Sequence, residues 1–176
     1  INLTHAKLQQ LIIKEIYYAS CKKDDGKNYG KDAYMSIYNN SDEVAYLDSL
    51  CIGTVNPVTS NTPSNFTNPD GSLWDEIPLF MMAWQFPGTG KDYPLQPGEE
   101  TIIALNAINH VDIASQSVDL SKADFAFWDQ RLTAASTPAP GVEPLKMIWI
   151  NSGTAFTISL TGPAMIIFKI PTSAAS

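Results

Sequence analysis

Leu-Lys-Met-Ile-Trp-Ile, residues 145–150, begins the stretch of sequence that decides the class of fold. Ala-Phe-Thr-Ile-Ser-Leu (155–160) and Ala-Met-Ile-Ile-Phe-Lys-Ile (164–170) follow it. All three runs are short and rich in β-branched and aromatic residues, which are enriched in strands. Asn151-Ser152-Gly153 and Thr161-Gly162-Pro163 separate them with residue types that favour turns. The C-terminal part of the chain is therefore predicted to form three strands joined by tight turns.

Further strands are predicted towards the N-terminus. Leu11–Tyr18 is uninterrupted by Gly or Pro, and its apolar residues fall on both faces, as in a strand that is covered on both sides. Glu100–Leu105 follows a Pro-Gly turn and is also predicted to be a strand. Leu79–Phe86 is the most apolar stretch, too short to distinguish a strand from a buried helix by its period. The strand interpretation is favoured there.

A β-hairpin is predicted from Tyr34–Tyr38 and Val44–Ile52, because Asn-Asn-Ser-Asp-Glu between them is typical of a turn. Alternation with a period of two predicts that Met35 and Ile37 point into the core and Ser36 away from it.

Long connections separate the strands. Gly53–Pro78 is rich in Asn, Thr, Ser and Pro and shows no periodicity, and a loop of this length is functional or mobile. Ala134–Pro144 contains three prolines and a glycine and is predicted to be a loop. Ala107–Val118 fits a short helix or a loop, and Leu120–Trp128 mixes polar and apolar residues. The whole pattern, about eight strands with little helix, predicts an all-β antiparallel β-sandwich. We expect one domain over residues 1–176, with its core at about 11–170 and a frayed tail at 171–176.

Composition restricts the partners. The net charge of −7 leaves no positive surface for a phosphate backbone, which argues against binding nucleic acid. Only 16% of the residues are charged, against about 25% in average domains, and 12 prolines interrupt the chain. Both figures favour short strands over a helical bundle. No apolar run approaches the roughly 20 residues of a membrane span, so membrane attachment requires an anchor outside this segment.

Four blocks resemble the ordered pattern of lamin-tail domains. They are Ile13–Tyr18, Tyr34–Val44, Tyr46–Leu50 and Leu95–Glu100, the last containing the Pro-Gly-Glu turn. With Trp84-Gln-Phe-Pro-Gly-Thr-Gly90 and Asn109-His110 added, the chain is similar to an uncharacterised family of secreted or lipid-anchored proteins from gut-commensal Gram-negative bacteria.

The resemblance implies an immunoglobulin-like β-sandwich and an extracytoplasmic location, either secreted or anchored at the outer membrane. It implies no catalytic residues, because bacterial lamin-tail domains resemble accessory modules of secreted enzymes or surface proteins. The sequence departs from the pattern at Ser36, where the family has an acid, and at Ser49-Leu50, where it has Gly-Trp.

Candidate catalytic groups are few. The chain has no Gly-x-Ser-x-Gly motif, and its histidines are His5 and His110. Asn109-His110-Val111-Asp112 offers a histidine and a carboxylate on one short segment. The favoured interpretation is a surface-loop histidine with local hydrogen bonds.

A metal site and a disulfide have equally little support in the sequence. Asp24-Asp25-Gly26 and the segment from Asn68 to Glu76 are rich in oxygen ligands, but turn chemistry explains them without calcium. No cofactor is predicted. Glu15, in a strand expected to be buried, is predicted to hydrogen-bond to a loop backbone. Cys21 and Cys51 fit either a disulfide or two free thiols, the latter favoured.

The predicted ligand-binding region combines Gly53–Pro78 with Trp84–Tyr93, where aromatic rings and hydrogen-bonding groups are close in sequence. Its candidate residues are Trp74, Trp84, Tyr93, Asp70 and Asp75. The ligand would be a glycan or a surface protein. A lid that buries these aromatics over a sheet edge is the slightly favoured alternative.

The sequence therefore predicts a non-catalytic extracytoplasmic binding or structural module. The alternative is a glycan-active hydrolase, or its carbohydrate-binding part, with acids drawn from Asp70, Asp75, Glu76 and Asp129. Such an enzyme requires two carboxylates about 5–9 Å apart in one cleft.

Overall fold

The computed structural model describes residues 9–18, 20–55, 66–76, 78–151, 153–158 and 164–170. Within these ranges the chain forms strands and loops and no helix. The strands are β1 Leu11–Tyr17, β2 Cys21–Lys22, β3 Asn28–Tyr29, β4 Tyr34–Asn39, β5 Ala45–Tyr46, β6 Leu50–Val55, β7 Leu79–Gln85, β8 Pro94–Leu95, β9 Glu100–Ala104, β10 Phe125–Ala126, β11 Glu143–Pro144, β12 Lys146–Ile150 and β13 Met165–Lys169. Accordingly, no helix in the described part of the chain is long and apolar enough to cross a membrane.

Two main sheets form a sandwich. The five-stranded sheet has the order β1-β4-β9-β10-β11, and the four-stranded sheet has the order β12-β7-β6-β13. Two small two-stranded sheets, β2-β3 and β5-β8, accompany them. This arrangement confirms the predicted all-β sandwich.

The core lies between the main sheets. Met35 and Ile37 of β4 are fully buried against Ile52 of β6 and Trp84 of β7 in one apolar cluster. Trp84 contacts Phe127 and Phe156 with ring centroids 5.6 and 5.4 Å apart. A second, smaller cluster covers the outer face of the five-stranded sheet; its buried members are Ala104, Ala107, Leu120, Ala123, Ala126 and Val142.

The register of β4 is the predicted one. Met35 and Ile37 enter the core, and Ser36 points to the opposite face, where it lies between Glu15 and Ile102 on the neighbouring strands. That face is covered rather than solvated, so Ser36 is also fully buried. Its Oγ has no hydrogen-bond partner among the described residues.

Ser36→Ala is therefore expected to leave the free energy of unfolding unchanged or to raise it by up to about 1 kcal/mol, because an unpartnered buried hydroxyl is a cost in the folded state. Urea denaturation measures this. The matched control is Ser117→Ala, whose Oγ donates to Asp32 Oδ2 at 2.7 Å and whose loss should cost about 1 kcal/mol or more. Equal destabilisation by the two substitutions would contradict this account of Ser36.

The predicted hairpin is wrong. β4 pairs with β1 and β9, whereas the residues after the turn enter two other sheets: β5 pairs with β8, and β6 joins the four-stranded sheet. The Asn39 side chain explains the change of direction. Its Nδ2 donates to the carbonyls of Glu43 and Leu95, both at 2.8 Å, which ties the end of β4 to β8. The turn residues were recognised correctly, but they carry the chain from one sheet towards the other.

Other predictions are confirmed or corrected by the structure. Leu11–Tyr18, Leu79–Phe86 and Glu100–Leu105 contain β1, β7 and β9 as predicted. Residues 155–158 are not a strand, and the remainder of that predicted strand lies outside the described residues, as do His5 and the tail 171–176. The sandwich is also not purely antiparallel, because β9, β10 and β11 pair in parallel. Parallel pairs of two residues leave no periodicity in a sequence.

The two cysteines are free thiols rather than a disulfide. Cys51 is fully buried in β6 and Cys21 is partly buried in β2. Burial raises the pKa of both thiols. Because the thiolate is the reactive species, neither cysteine is activated as a nucleophile.

Candidate functional site

A short hairpin presents the first candidate site. Thr67 and Leu73 form an isolated antiparallel bridge around the turn Asn68-Pro69-Asp70-Gly71. Asp70 Oδ1 accepts hydrogen bonds from the Ser72 backbone N–H at 2.9 Å and from its Oγ at 2.6 Å. These bonds hold the pKa of Asp70 below its ordinary value. Asp70 therefore braces the turn, and its role as a ligand contact stays a prediction.

Trp74 follows directly after this hairpin. Its backbone N–H donates to the Phe66 carbonyl at 2.8 Å, and its ring packs edge-on against Phe66 with centroids 5.8 Å apart. Even so, 44% of Trp74 remains exposed, and Leu73 is 74% exposed. A surface pocket of about 560 Å³ opens beside the ring; the Trp74 pocket, as we name it, is lined by Asn68, Trp74, Asp75, Glu76 and Pro78.

Trp84 belongs to the core and not to a binding surface. It is fully buried in β7 between Phe127 and Phe156. The prediction that Trp84 contacts a ligand is therefore wrong. Proximity in sequence to the exposed aromatics suggested that role, but alternation along β7 directs this ring inward.

Tyr93 lies at a second place on the surface. It packs edge-on against Phe125 of β10 with centroids 5.4 Å apart and lines a groove of about 880 Å³. We call this the acidic groove. Its floor contains the buried side chains of Leu47, Leu95, Phe125 and Val142, and its rim carries Asp92, Glu99, Glu100, Lys122, Asp124 and Glu143. Of the predicted residues, Trp74 and Asp75 thus line one site and Tyr93 another, and neither lining contains a residue of the other.

A buried carboxylate fixes the loop that carries Tyr93. Asp48 is 5% exposed and accepts three backbone hydrogen bonds at 2.9 Å, from Gly90 and Asp92 at its Oδ1 and from Tyr93 at its Oδ2. Burial alone would raise the pKa of Asp48, but the three N–H donors outweigh it and hold this pKa below its ordinary value. Asp48 stays ionised and acts as a latch for residues 88–93.

Gly88 completes the latch. Its φ is +104°, a backbone conformation that favours glycine, and a Cβ at this position would collide with Asp48 Oδ1. Asp48 can therefore approach the loop closely only because residue 88 has no side chain.

His110 is neither a surface residue nor a general base. It is fully buried, with Nδ1 2.7 Å from the Tyr29 hydroxyl and Nε2 2.8 Å from the Asn106 carbonyl oxygen. Both ring nitrogens are thus occupied by structural hydrogen bonds that fix the loop after β9. The predicted local hydrogen bond of His110 is confirmed for Asn106, whereas Tyr29 is distant in sequence. The predicted surface location of His110 is wrong.

Three other acids that the sequence offered as metal ligands or catalytic groups make contacts within the chain. Asp24 accepts from Ser115 Oγ at 2.6 Å, and Asp25 pairs with Lys27 at 3.0 Å. Asp129 pairs with Arg131 at 2.7 Å, and the hydrogen bond from the Arg131 side chain lowers the pKa of Asp129. In the described ranges no group of three His, Cys, Asp or Glu side chains has a geometry suited to a metal ion.

Glu15 is exposed rather than buried, and its partner is a side chain rather than a loop backbone. The Tyr34 hydroxyl donates to Glu15 Oε1 at 2.8 Å across β1 and β4. Burial, together with this hydrogen bond, raises the pKa of Tyr34 to about 12. The bulge between Ile13 and Glu15 turns the side chain outwards, which the sequence did not indicate.

The structure is an all-β sandwich with two separate surface pockets lined mainly by its loops. Residues 96–176 match a family described as "Protein of unknown function (DUF4876)". The chain is also similar to the crystal structure of a DUF4876 family protein from Bacteroides thetaiotaomicron VPI-5482, with 28% sequence identity and a TM-score of 0.71. The match covers 96% of this chain and 44% of that one, so the chain spans less than half of that relative. No curated protein matches the sequence.

These similarities support the predicted relationship to an uncharacterised bacterial family that includes a Bacteroides protein.

Proposed function

We propose that this chain is a non-catalytic, extracytoplasmic binding module whose Trp74 pocket binds a neutral glycan. The observation that carries the proposal is a half-exposed tryptophan beside a pocket of hydrogen-bonding groups, next to a turn that is braced by Asp70. Loops on a rigid scaffold are the usual carriers of binding.

The chemistry of the pocket fits a sugar ring. The face of Trp74 offers apolar area for the C–H groups of the sugar, as exposed tryptophans do at binding surfaces. Asn68 Nδ2 donates to Ser72 Oγ at 2.9 Å, and its Oδ1, which accepts no hydrogen bond from a described residue, is a candidate acceptor for a sugar hydroxyl. Asp75 and Glu76 supply further acceptors, and their negative charge disfavours uronic acids and sulfated sugars.

The lid alternative has less support. A lid over a sheet edge would bury its aromatic residues, whereas Leu73 and Trp74 expose 74% and 44% of their surface. Neither belongs to the two apolar clusters.

The hydrolase alternative is also weaker. Asp70 braces a turn and Asp129 is paired with Arg131. Asp75 and Glu76 do line one pocket, but both are exposed to solvent rather than enclosed in a cleft.

The extracytoplasmic location and the finer lamin-tail resemblance are part of the proposal. Strands β1 and β4 coincide with the first two blocks of that resemblance, and the Pro-Gly-Glu turn enters β9.

Trp74→Ala is expected to weaken glycan binding about tenfold or more, since truncation of an aromatic anchor costs on the order of 1–2 kcal/mol. Affinity electrophoresis on neutral glucans, xylans and mannans, with polygalacturonate as the anionic comparison, measures this. Thermal melting of the same proteins is measured in parallel and should change little.

The matched control is Trp149→Ala. Trp149 in β12 is 40% exposed, close to Trp74, but it does not line the Trp74 pocket. This variant should bind like the wild type. Unchanged binding by the Trp74 variant, or a large fall in its melting temperature, would favour the lid and overturn the proposal.

A further inference from the structure

The acidic groove has the construction of a docking site that is separate from the Trp74 pocket. Its floor is apolar and well supported: Phe125 packs edge-on against both Phe86 and Tyr93, with centroids 4.8 and 5.4 Å apart. The Asp48 latch fixes the wall that contains Tyr93. The floor is therefore preformed, and binding needs little reorganisation.

The rim is unbalanced in charge. Five carboxylates surround the groove, and Lys122 is the one cation that the described residues contribute to its lining. Glu100 is partly neutralised by Lys14 at 3.0 Å. Glu143 is exposed and makes no ion pair with any described residue. Asp92, Glu99 and Asp124 also accept backbone N–H bonds, which compensate part of their charge. A cationic ligand would relieve the repulsion that remains at the rim.

The strands that line the groove do not offer a ligand a free edge for backbone hydrogen bonds. β9 is already paired on both sides, by β4 and β10, and β11 ends in Pro144, which has no N–H to donate. A ligand in this groove therefore contacts side chains, with apolar area in the floor and carboxylates at the rim.

We propose that the acidic groove docks a basic, extended segment of a partner protein. Lysine and arginine side chains suit both parts of it, because their aliphatic stems cover apolar surface while their cationic heads reach the rim. Charge complementarity with the five carboxylates selects this occupant over acidic or neutral chains. The net charge of −7 adds long-range attraction for it.

The test uses fluorescein-labelled peptides that alternate lysine with valine, and fluorescence anisotropy as the readout. Peptides with glutamate or serine in place of lysine, and the polyamine spermine as a competitor, are the comparisons. We expect the lysine peptide alone to bind, and its affinity to fall steeply as salt increases.

Glu143→Lys and Glu99→Lys should each weaken binding of the lysine peptide about tenfold. The matched control is Asp112→Lys, which makes the same charge change at an exposed residue outside the groove and should leave affinity close to that of the wild type. Melting temperatures of all three variants verify that they are folded.

The proposal would be overturned if the Asp112 variant lost as much affinity as the groove variants, or if the lysine peptide did not bind. Displacement of that peptide by spermine at equal concentration would overturn it as well. Binding of a neutral glycan that is lost on Glu143→Lys would also overturn it. None of these outcomes bears on Trp74, because the two sites share no lining residue.

Discussion

Replacing Asp48 with alanine is expected to lower the free energy of unfolding by about 3–5 kcal/mol. The reason is the number of partners lost at one buried position. Gly90, Asp92 and Tyr93 all donate backbone N–H groups to this carboxylate at 2.9 Å, and alanine accepts none of them. A Cβ at Gly88 would collide with Asp48 Oδ1, which shows how closely the carboxylate fits against this loop.

The effect should depend on pH in one direction. Because the pKa of Asp48 is lower in the folded chain than in the unfolded one, its contribution is complete above the ordinary carboxyl value of about 3.9. The contribution is lost as the pH falls through the lower, folded-state value. Chemical denaturation should therefore give a constant difference between wild type and variant from neutral pH to about pH 5, and a shrinking one below about pH 4.

Asp112→Ala is the control for this prediction. Asp112 is exposed, so its replacement should change stability by no more than about 0.5 kcal/mol. If the Asp48 variant were as stable as the Asp112 variant, the loop at 88–93 would be held by something other than the latch.

Trp84→Ala is expected to cost about 3–5 kcal/mol, the range for removing a buried aromatic side chain. The indole ring fills the space between Phe127 and Phe156 in the centre of the sandwich. Trp84→Phe should cost less, because it keeps an aromatic ring, and because Trp84 Nε1 has no hydrogen-bond partner among the described residues.

Urea denaturation of Trp84→Ala beside Trp74→Ala separates the two tryptophans. The Trp74 variant should lose less than about 1 kcal/mol, since that side chain is largely at the surface. Comparable losses would show that Trp74 supports the fold, contrary to its proposed role.

The strands were predictable where they are long. β1, β4, β7, β12 and β13 are each at least five residues long and rich in apolar and aromatic residues, and their composition identifies them as strands. The pairing of those strands was not predictable. Asn39 is typical of a turn, but whether it closes a hairpin or redirects the chain depends on Leu95 lying within reach of its amide.

The candidate site was predictable in part. Trp74 and Asp75 were found because an aromatic ring and acids are adjacent in a polar loop. Asp48 was missed, because its three partners lie 42 to 45 residues further along the chain. Phe125 and Glu143 were missed because their parallel strands are two residues long and leave no pattern in the sequence.

The most direct measurement of the central claim is a titration of the ¹⁵N-labelled protein with the neutral oligosaccharide that binds best, followed by NMR. The four tryptophans give four indole N–H signals, which single Trp→Phe variants assign. The account predicts that the Trp74 signal shifts, while the signals of buried Trp84 and of Trp149 stay in place. A shift of Trp149 without one of Trp74, or no shift of any indole signal, would contradict it.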